Sequence, residues 1–257
     1  MSHAITDSAT MLRRNLRRAL RYPGLTVAMI AMPVLLMLLF VYILGGALGG
    51  GIGGDIRYID YLTPGIVLMT ITSSTMTASM GVSTDLTDGI IARFRAMPVS
   101  PSAVLTGRVL DSLIQTLISV ALVFAFATLA GFRPNATPLE WLAVAGLTVL
   151  LTFAVTWLAI ALGLLAKNPE GASNIVMPLA YLPFLGSAFV PPGSMSGGVR
   201  WFAENQPFTP IIETMRGLLL GTGIGSSGYW ALGWCAAMTA GGYLWGRATY
   251  RKRALDA

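Results

Sequence analysis

Histidine and cysteine are almost missing from this 257-residue chain, each occurring once, as His3 and Cys235. A lone histidine in the first few residues leaves no His-based metal site, no Ser/His nucleophile pair and no histidine proton relay, which removes most hydrolytic chemistry. One cysteine can neither close an intrachain disulfide nor build a thiolate cluster. Lysine is scarce too, with Lys167 and Lys252 set against fifteen arginines. Together with abundant alanine and glycine, this bias points to a GC-rich bacterial coding sequence. Charged residues make up only 11% of the chain, where an ordinary soluble domain carries about 25%. Eleven acids and seventeen bases are too few to coat a soluble fold of this length. Since 54% of the residues are hydrophobic, the surface must be largely apolar and the chain belongs in lipid.

A helix that rises about 1.5 Å per residue needs about 20 apolar residues to cross a hydrocarbon layer of about 30 Å. Six stretches approach that length: residues 25–44, 61–82, 109–130, 141–166, 172–190 and 229–246. The expected fold class is therefore an all-α integral membrane protein, a single transmembrane domain over residues 1–257 with six helical spans. Basic residues set the orientation, because segments retained in the cytoplasm keep an excess of Lys and Arg. With both termini inside, thirteen basic residues fall on the cytoplasmic side, and four, Arg57, Arg133, Arg200 and Arg216, fall outside. An odd number of spans would put the basic carboxyl-terminal tail on the wrong side. A cleaved signal peptide is a competing reading of the first stretch, but its apolar run exceeds the 7 to 15 residues or so of a signal core.

The segments between the spans are patterned. From Asp7 to Tyr22, Leu12, Leu16, Ala19 and Leu20 lie near one helical face and five arginines cover the rest, as expected of a helix lying on the membrane surface. Between the second and third spans, residues 83–108 are too polar to cross. Leu86, Ile90, Phe94 and Met97 recur at spacings of four, four and three and align on one face. Pro98 ends that helix, and Ser100 with Pro101 supplies an N-cap and first residue for the next. A short amphipathic helix of this kind can rest on lipid or insert into a groove of a partner protein, and the pattern alone leaves both roles open.

Residues 191–228 form the longest outer connection, and the apolar run from Ile211 to Leu220 within it is too short to span. It fits a re-entrant or interfacial helical segment. Glu213 and Arg216, three residues apart, are placed to form a helix-surface ion pair, with a structural role as the simpler reading and substrate contact as the other. Asp111 is the one acid inside an expected span, near its cytoplasmic edge. Arg108 and Gln115 flank it at helical spacing, so an interfacial ion pair or cap competes with a proton or substrate site. Pro178 and Pro183 mark the fifth span as a distorted helix suited to lining a path.

Two strings mislead. The glycine-rich run from Gly45 to Gly54 lacks the lysine that a phosphate-binding loop requires, since Lys167 follows Ala166 and Lys252 follows Arg251. Gly225, Ser226, Ser227 and Gly228 match the serine string of intramembrane proteases, but no membrane-embedded histidine is available to take the serine proton.

The basic helix before the first span, the stretch from Asp88 to Ser100 (D-G-I-I-A-R-F-R-A-M-P-V-S) and the region from Ala188 to Gly221 together resemble the ABC-2 type permeases, the membrane subunits of bacterial ABC exporters, and in particular the daunorubicin-resistance permeases. The last region is the most distinctive, with Phe189, Val190 and Pro191, then Gln206 and Pro207, then Glu213 and Arg216. The resemblance covers essentially the whole chain. It implies that Asp88, Gly89, Ile90, Arg93, Phe94, Arg95 and Pro98 belong to a coupling helix seated in a separate cytoplasmic ATPase, which favours a protein partner over lipid. Asp85 and Asp88 stand where family members often carry glutamate.

The resemblance further implies two permease copies, or this chain with a second permease, working with two ATPase subunits in a bacterial cytoplasmic (inner) membrane. ATP and Mg would be bound by the partner, with no cofactor, metal or catalytic residue in this chain and no nucleic-acid partner. Asp111, Pro178, Pro183, Glu213 and Arg216 become candidates for lining or gating a path for a drug, lipid, glycolipid or polysaccharide. The alternative is a self-sufficient ion-coupled carrier using Asp111, which would want more intramembrane acids or inverted repeats than this sequence offers.

Overall fold

Proline opens several helices of the bundle. In the computed structural model, which describes residues 23–46, 56–87 and 101–256 and the side chains of residues 31–46, 56–87 and 105–252, Pro101, Pro138 and Pro169 are each the first residue of a helix. That position has no intrahelical use for an N–H and suits the fixed φ of proline. Two of these starts are also capped. Thr137 Oγ1 accepts from the Glu140 N–H at 3.3 Å while Glu140 Oε2 accepts from the Thr137 N–H at 2.6 Å, a reciprocal capping box. Asn168 Oδ1 accepts from the Gly171 N–H at 2.7 Å.

Eight α-helices occur among the described residues, with no strand: α1 (Pro23–Leu38, continued by a π-helical turn over Leu39–Leu44), α2 (Tyr58–Thr87), α3 (Pro101–Leu129), α4 (Pro138–Gly163), α5 (Pro169–Tyr181, followed by a 3-10 turn over Leu182–Leu185), α6 (Gly197–Asn205), α7 (Phe208–Leu220) and α8 (Ser227–Asp256). Three of them are both long and apolar enough to cross a bilayer: α2, the Leu105–Leu129 part of α3, and α4. The apolar part of α1, Ala31–Leu44, is shorter.

The fifth expected span differs from its reading as one helix over 172–190. The α-helix stops at Tyr181, and its 13 residues rise about 20 Å, short of a bilayer core. Pro183 has no N–H with which to continue the helical ladder, and the chain tightens into the 3-10 turn and leaves it with Gly186 extended. Pro178, by contrast, is accommodated inside α5.

The second span also runs further than its composition indicated. Helix continues through Ser83, Thr84, Asp85 and Leu86 to Thr87. Leu86, expected on the partner-facing stripe, instead packs on a small core of Val82, Leu105, Val109, Trp157, Ile160, Leu164 and Tyr250. Ile90, Phe94 and Met97, the rest of that stripe, lie outside the described residues, as do the amino-terminal amphipathic segment and most of the glycine-rich run.

Helix α2 is the axis of the fold. Every residue from Tyr58 to Thr72 is buried, and α2 packs against α1, α3, α4, α5 and α7. A helix buried all round has no need of an amphipathic stripe, which is why periodicity is weak here. Helix α4 joins α2 to α8. The α4–α8 contact is close because Gly242 has no side chain: a Cβ there would lie 2.6 Å from the Leu158 nitrogen and 2.8 Å from the Trp157 carbonyl carbon. Gly242→Val is expected to force α8 off α4 and to cost about 1–3 kcal/mol, measurable as a lower unfolding midpoint in detergent.

Candidate functional site

Side chains singled out by their chemistry fall at two ends of α2. At the end that begins with Tyr58, Arg216 of α7 reaches back to α2 and is only 6% exposed. Its Nη1 donates to Glu213 Oε1 at 2.6 Å, so the i,i+3 spacing does produce an ion pair. Contrary to a helix-surface placement, however, the guanidinium is buried. Nε and Nη2 donate to the Tyr61 carbonyl at 3.2 and 3.1 Å, and Nη2 also donates to the Ser187 carbonyl at 2.8 Å. The guanidinium carbon sits 3.7 Å from the centroid of the Tyr61 ring, adding cation–π attraction.

This arrangement exists because the chain leaves the Pro183 turn through an extended Gly186 and then runs in turns against α2. Tyr61 Oη donates to the Ser187 carbonyl at 3.0 Å, and Tyr58 Oη to the Phe189 carbonyl at 3.4 Å. Gly65 permits the approach, since a Cβ at that position would stand 2.7 Å from the Ala188 carbonyl oxygen. Gln206, in the amide orientation that satisfies donor and acceptor together, donates to the Leu182 carbonyl at 3.3 Å and accepts from the Gly186 N–H at 2.9 Å. Of the residues expected to line or gate a path, the structure thus brings Pro183, Glu213 and Arg216 into one neighbourhood, while Pro178 is exposed on α5.

Asp60 belongs to the same end and escaped the sequence reading. Its carboxylate accepts from Arg57 Nε at 2.8 Å and Nη2 at 3.1 Å, and from the Arg133 backbone N–H at 3.1 Å. It pins the α3–α4 connection to the first turn of α2, where a carboxylate also favours the helix dipole. The signal for it was the Arg57-x-x-Asp60 spacing. Arg57 and Arg133 had served only as topology markers.

At the other end of α2, Arg108 of α3 turns to α2. Its Nη2 donates to Asp85 and, at 3.2 Å, to the Gly81 carbonyl. The pair is largely buried, with side-chain exposures of 16% and 15%. An Arg108–Asp111 pair within α3 had been one expectation; the continued α2 delivers Asp85 to Arg108 as a cross-helix partner. Asp111 accepts from Gln115 Nε2 at 2.9 Å. Together with Ser74 and Thr77 of α2 and Ser112, Thr116 and Ser119 of α3, these side chains line a polar cavity of about 40 Å³. Ser112 Oγ and the Thr156 hydroxyl on α4 share a 3.3 Å hydrogen bond at its back. Asp88, Gly89, Ile90, Arg93, Phe94, Arg95 and Pro98, the expected coupling residues, lie outside the described residues, and the Asp85–Arg108 pair joins the two helix ends on either side of them.

A helical chain with three helices long and apolar enough to cross a bilayer and ion pairs that serve packing has the makeup of a polytopic membrane protein. Residues 7–220 match the ABC-2 type transporter family, and the chain belongs to it. It is 26% identical over 239 residues to the daunorubicin resistance ABC transporter permease protein DrrB1 of Streptomyces coeruleorubidus, covering 93% of this chain and 82% of that protein. It is 25% identical over 213 residues to a protein of Mycobacterium tuberculosis named a probable doxorubicin resistance ABC transporter permease protein, DrrC, covering 82% of this chain and 76% of that one.

Proposed function

We propose that this chain is the permease subunit of an ATP-driven exporter in a bacterial inner membrane, forming the path for an apolar or amphipathic cargo. A separate cytoplasmic ATPase, present in two copies with ATP and Mg, drives two permeases. Six spans with both termini inside complete the topology, with α5 and the turns that follow it serving as the fifth crossing and α6–α7 covering it from the outer side.

The observation that carries this reading beyond family membership is the buried Asp85–Arg108 pair. It clamps the ends of α2 and α3 that flank residues 88–100, so a displacement of that segment moves two packed helices together rather than fraying a loop. A coupling segment must work in this way, because the two ATPase states shift the permease only through contacts that differ between them.

Native copurification tests the proposal. A carboxyl-terminal tag and mild detergent are expected to bring down a stoichiometric ATPase with ATP hydrolysis. A folded preparation that is free of ATPase in several detergents would sink the exporter reading in favour of an ion-coupled carrier. Topology is tested separately: a reporter active only outside the cell is expected to be active when fused near Gly193 and silent when fused after Arg253, and the reverse result would overturn the six-span arrangement.

A further inference from the structure

Helix α8 carries, near its end, cations for which the described residues supply no counter-ion. Arg247, Arg251 and Lys252 lie close together in sequence. The ion pairs among the described residues, Arg57–Asp60, Arg108–Asp85, Arg200–Glu204 and Arg216–Glu213, use none of them. Like charges four residues apart on a helix repel, and the negative end of the helix dipole offsets only part of that. The excess of bases on a cytoplasmic segment would account for the charge. It does not account for the shape around it.

Ala248 lies between the three cations, and the four residues together line a hollow of about 450 Å³. One wall is held in place. Arg247 Nη1 donates to Tyr243 Oη at 3.1 Å, and its guanidinium carbon stands 5.4 Å from the centroid of the Tyr243 ring. Tyr243 in turn meets the Trp157 ring of α4 edge-on, with centroids 5.0 Å apart. A guanidinium fixed in this way loses little freedom on meeting an anion, and its planar fork suits phosphate oxygens. The small side chain of Ala248 leaves room for a head group among the long ones.

A tail would find a seat on the same helix. Ala237, Gly241, Leu244 and Ala248 are all exposed and recur at spacings of four, three and four, so they share one face of α8. Leu244 is the one large side chain of the four. The face runs from the hollow back toward the start of α8 for about 16 Å, a shallow track for an acyl chain.

We infer that this part of α8 is a binding site for an anionic phospholipid, its phosphate held by Arg247, Arg251 and Lys252 over Ala248 and one chain lying along Leu244, Gly241 and Ala237. A zwitterionic lipid brings a cation of its own to these cations and is the poorer partner. The site lies where occupancy matters. Tyr250 is buried in the small core with Val82, Leu105 and Trp157, and a Cβ at Gly246 would lie 3.7 Å from the Ala161 Cβ of α4. A lipid that braces this turn of α8 therefore stabilises the end of the bundle where Asp85 and Arg108 join α2 to α3. Its assignment to the cytoplasmic leaflet rests on the proposed topology.

The test melts the full chain in a mild nonionic detergent with dioleoylphosphatidylglycerol or dioleoylphosphatidylcholine added to the micelles in equal amount. Phosphatidylglycerol is expected to raise the midpoint by about 3 °C or more beyond phosphatidylcholine, with the difference shrinking in high salt. Ala248→Leu fills the hollow and keeps every charge, whereas the triple change Arg247→Gln, Arg251→Gln and Lys252→Gln keeps the hollow and removes the charge. Each is expected to abolish the difference. Arg13→Gln, Arg14→Gln and Arg17→Gln together remove the same charge from the amino-terminal segment and are expected to leave it. An equal response to the two lipids, or a difference that survives Ala248→Leu, overturns the site. The same shift produced by soluble glycerol phosphate would make the occupant a free anion. Loss of ATPase capture with an intact lipid response in the α8 triple variant would make the patch a protein-docking surface, and either result overturns the lipid site as well. Micelles offer lipid to both ends of the chain, so these outcomes do not depend on the topology, which the reporter fusions test on their own.

Discussion

Arg216→Met is expected to lower the stability of the bundle by about 3 kcal/mol, because it removes a buried donor that ties α7 to α2 and to the turns after α5. Three charge-assisted contacts to the Tyr61 and Ser187 carbonyls disappear together with the stacking on Tyr61. Loss of the Glu213 pair adds little, since that carboxylate is 37% exposed and can be hydrated when alone. Glu213→Gln is therefore expected to cost less than about 1 kcal/mol. Arg216→Lys is expected to recover only part of the loss, as one ammonium cannot reach both carbonyls while stacking on the ring. Unfolding midpoints in detergent decide the matter. If Arg216→Met melts with the parent, the guanidinium is not the tie, and Glu213 and Arg216 return to the list of cargo-contacting residues.

How far the sequence carries depends on the scale of the pattern. Long apolar runs locate α1 to α4 and α8 as helices, and among the described residues α2, α3 and α4 also have the length and apolarity of a span, because span length is a one-dimensional quantity. The Glu213–Arg216 spacing is equally local, and so is the proline that opens α3. What escapes is whatever depends on a distant partner. Arg108 has Asp111 three residues away and Asp85 twenty-three away, and only the helical course of residues 83–87 makes the distant acid the partner. Those residues, S-T-D-L-T, are polar enough to read as the start of a loop, but Leu86 and Val82 bury against Leu105 and Trp157 and hold them helical. Arg216 is similar. Its spacing reveals Glu213 but not the two carbonyls that bury it, because these become available only where Pro183 breaks α5. In both cases helix ends and breaks, the least legible features of a sequence, decide which charges meet.

Docking of the ATPase and transmission of its motion are separable, and two substitutions are expected to separate them. Phe94→Asp places a carboxylate on the face by which the proposed coupling segment would enter its partner. Burying that charge costs several kcal/mol, so capture of the ATPase is expected to fall by about a hundredfold or more, with transport lost and membrane insertion intact. Arg108→Ala leaves the proposed docking residues unchanged, and ATPase capture is expected to persist. It leaves Asp85 as a lone, largely buried carboxylate and unlinks α2 from α3 at the point where the proposed coupling segment would act on them. Transport per captured ATPase is expected to fall by about tenfold or more. The exchange Asp85→Arg with Arg108→Asp restores the attraction with reversed polarity but leaves the Gly81 carbonyl without its arginine donor, so recovery is expected to be partial. If Arg108→Ala exports cargo as well as the parent, force enters the membrane by another route. If Phe94→Asp still captures the ATPase, residues 88–98 are not the docking element, and the Asp85–Arg108 pair is a packing contact only.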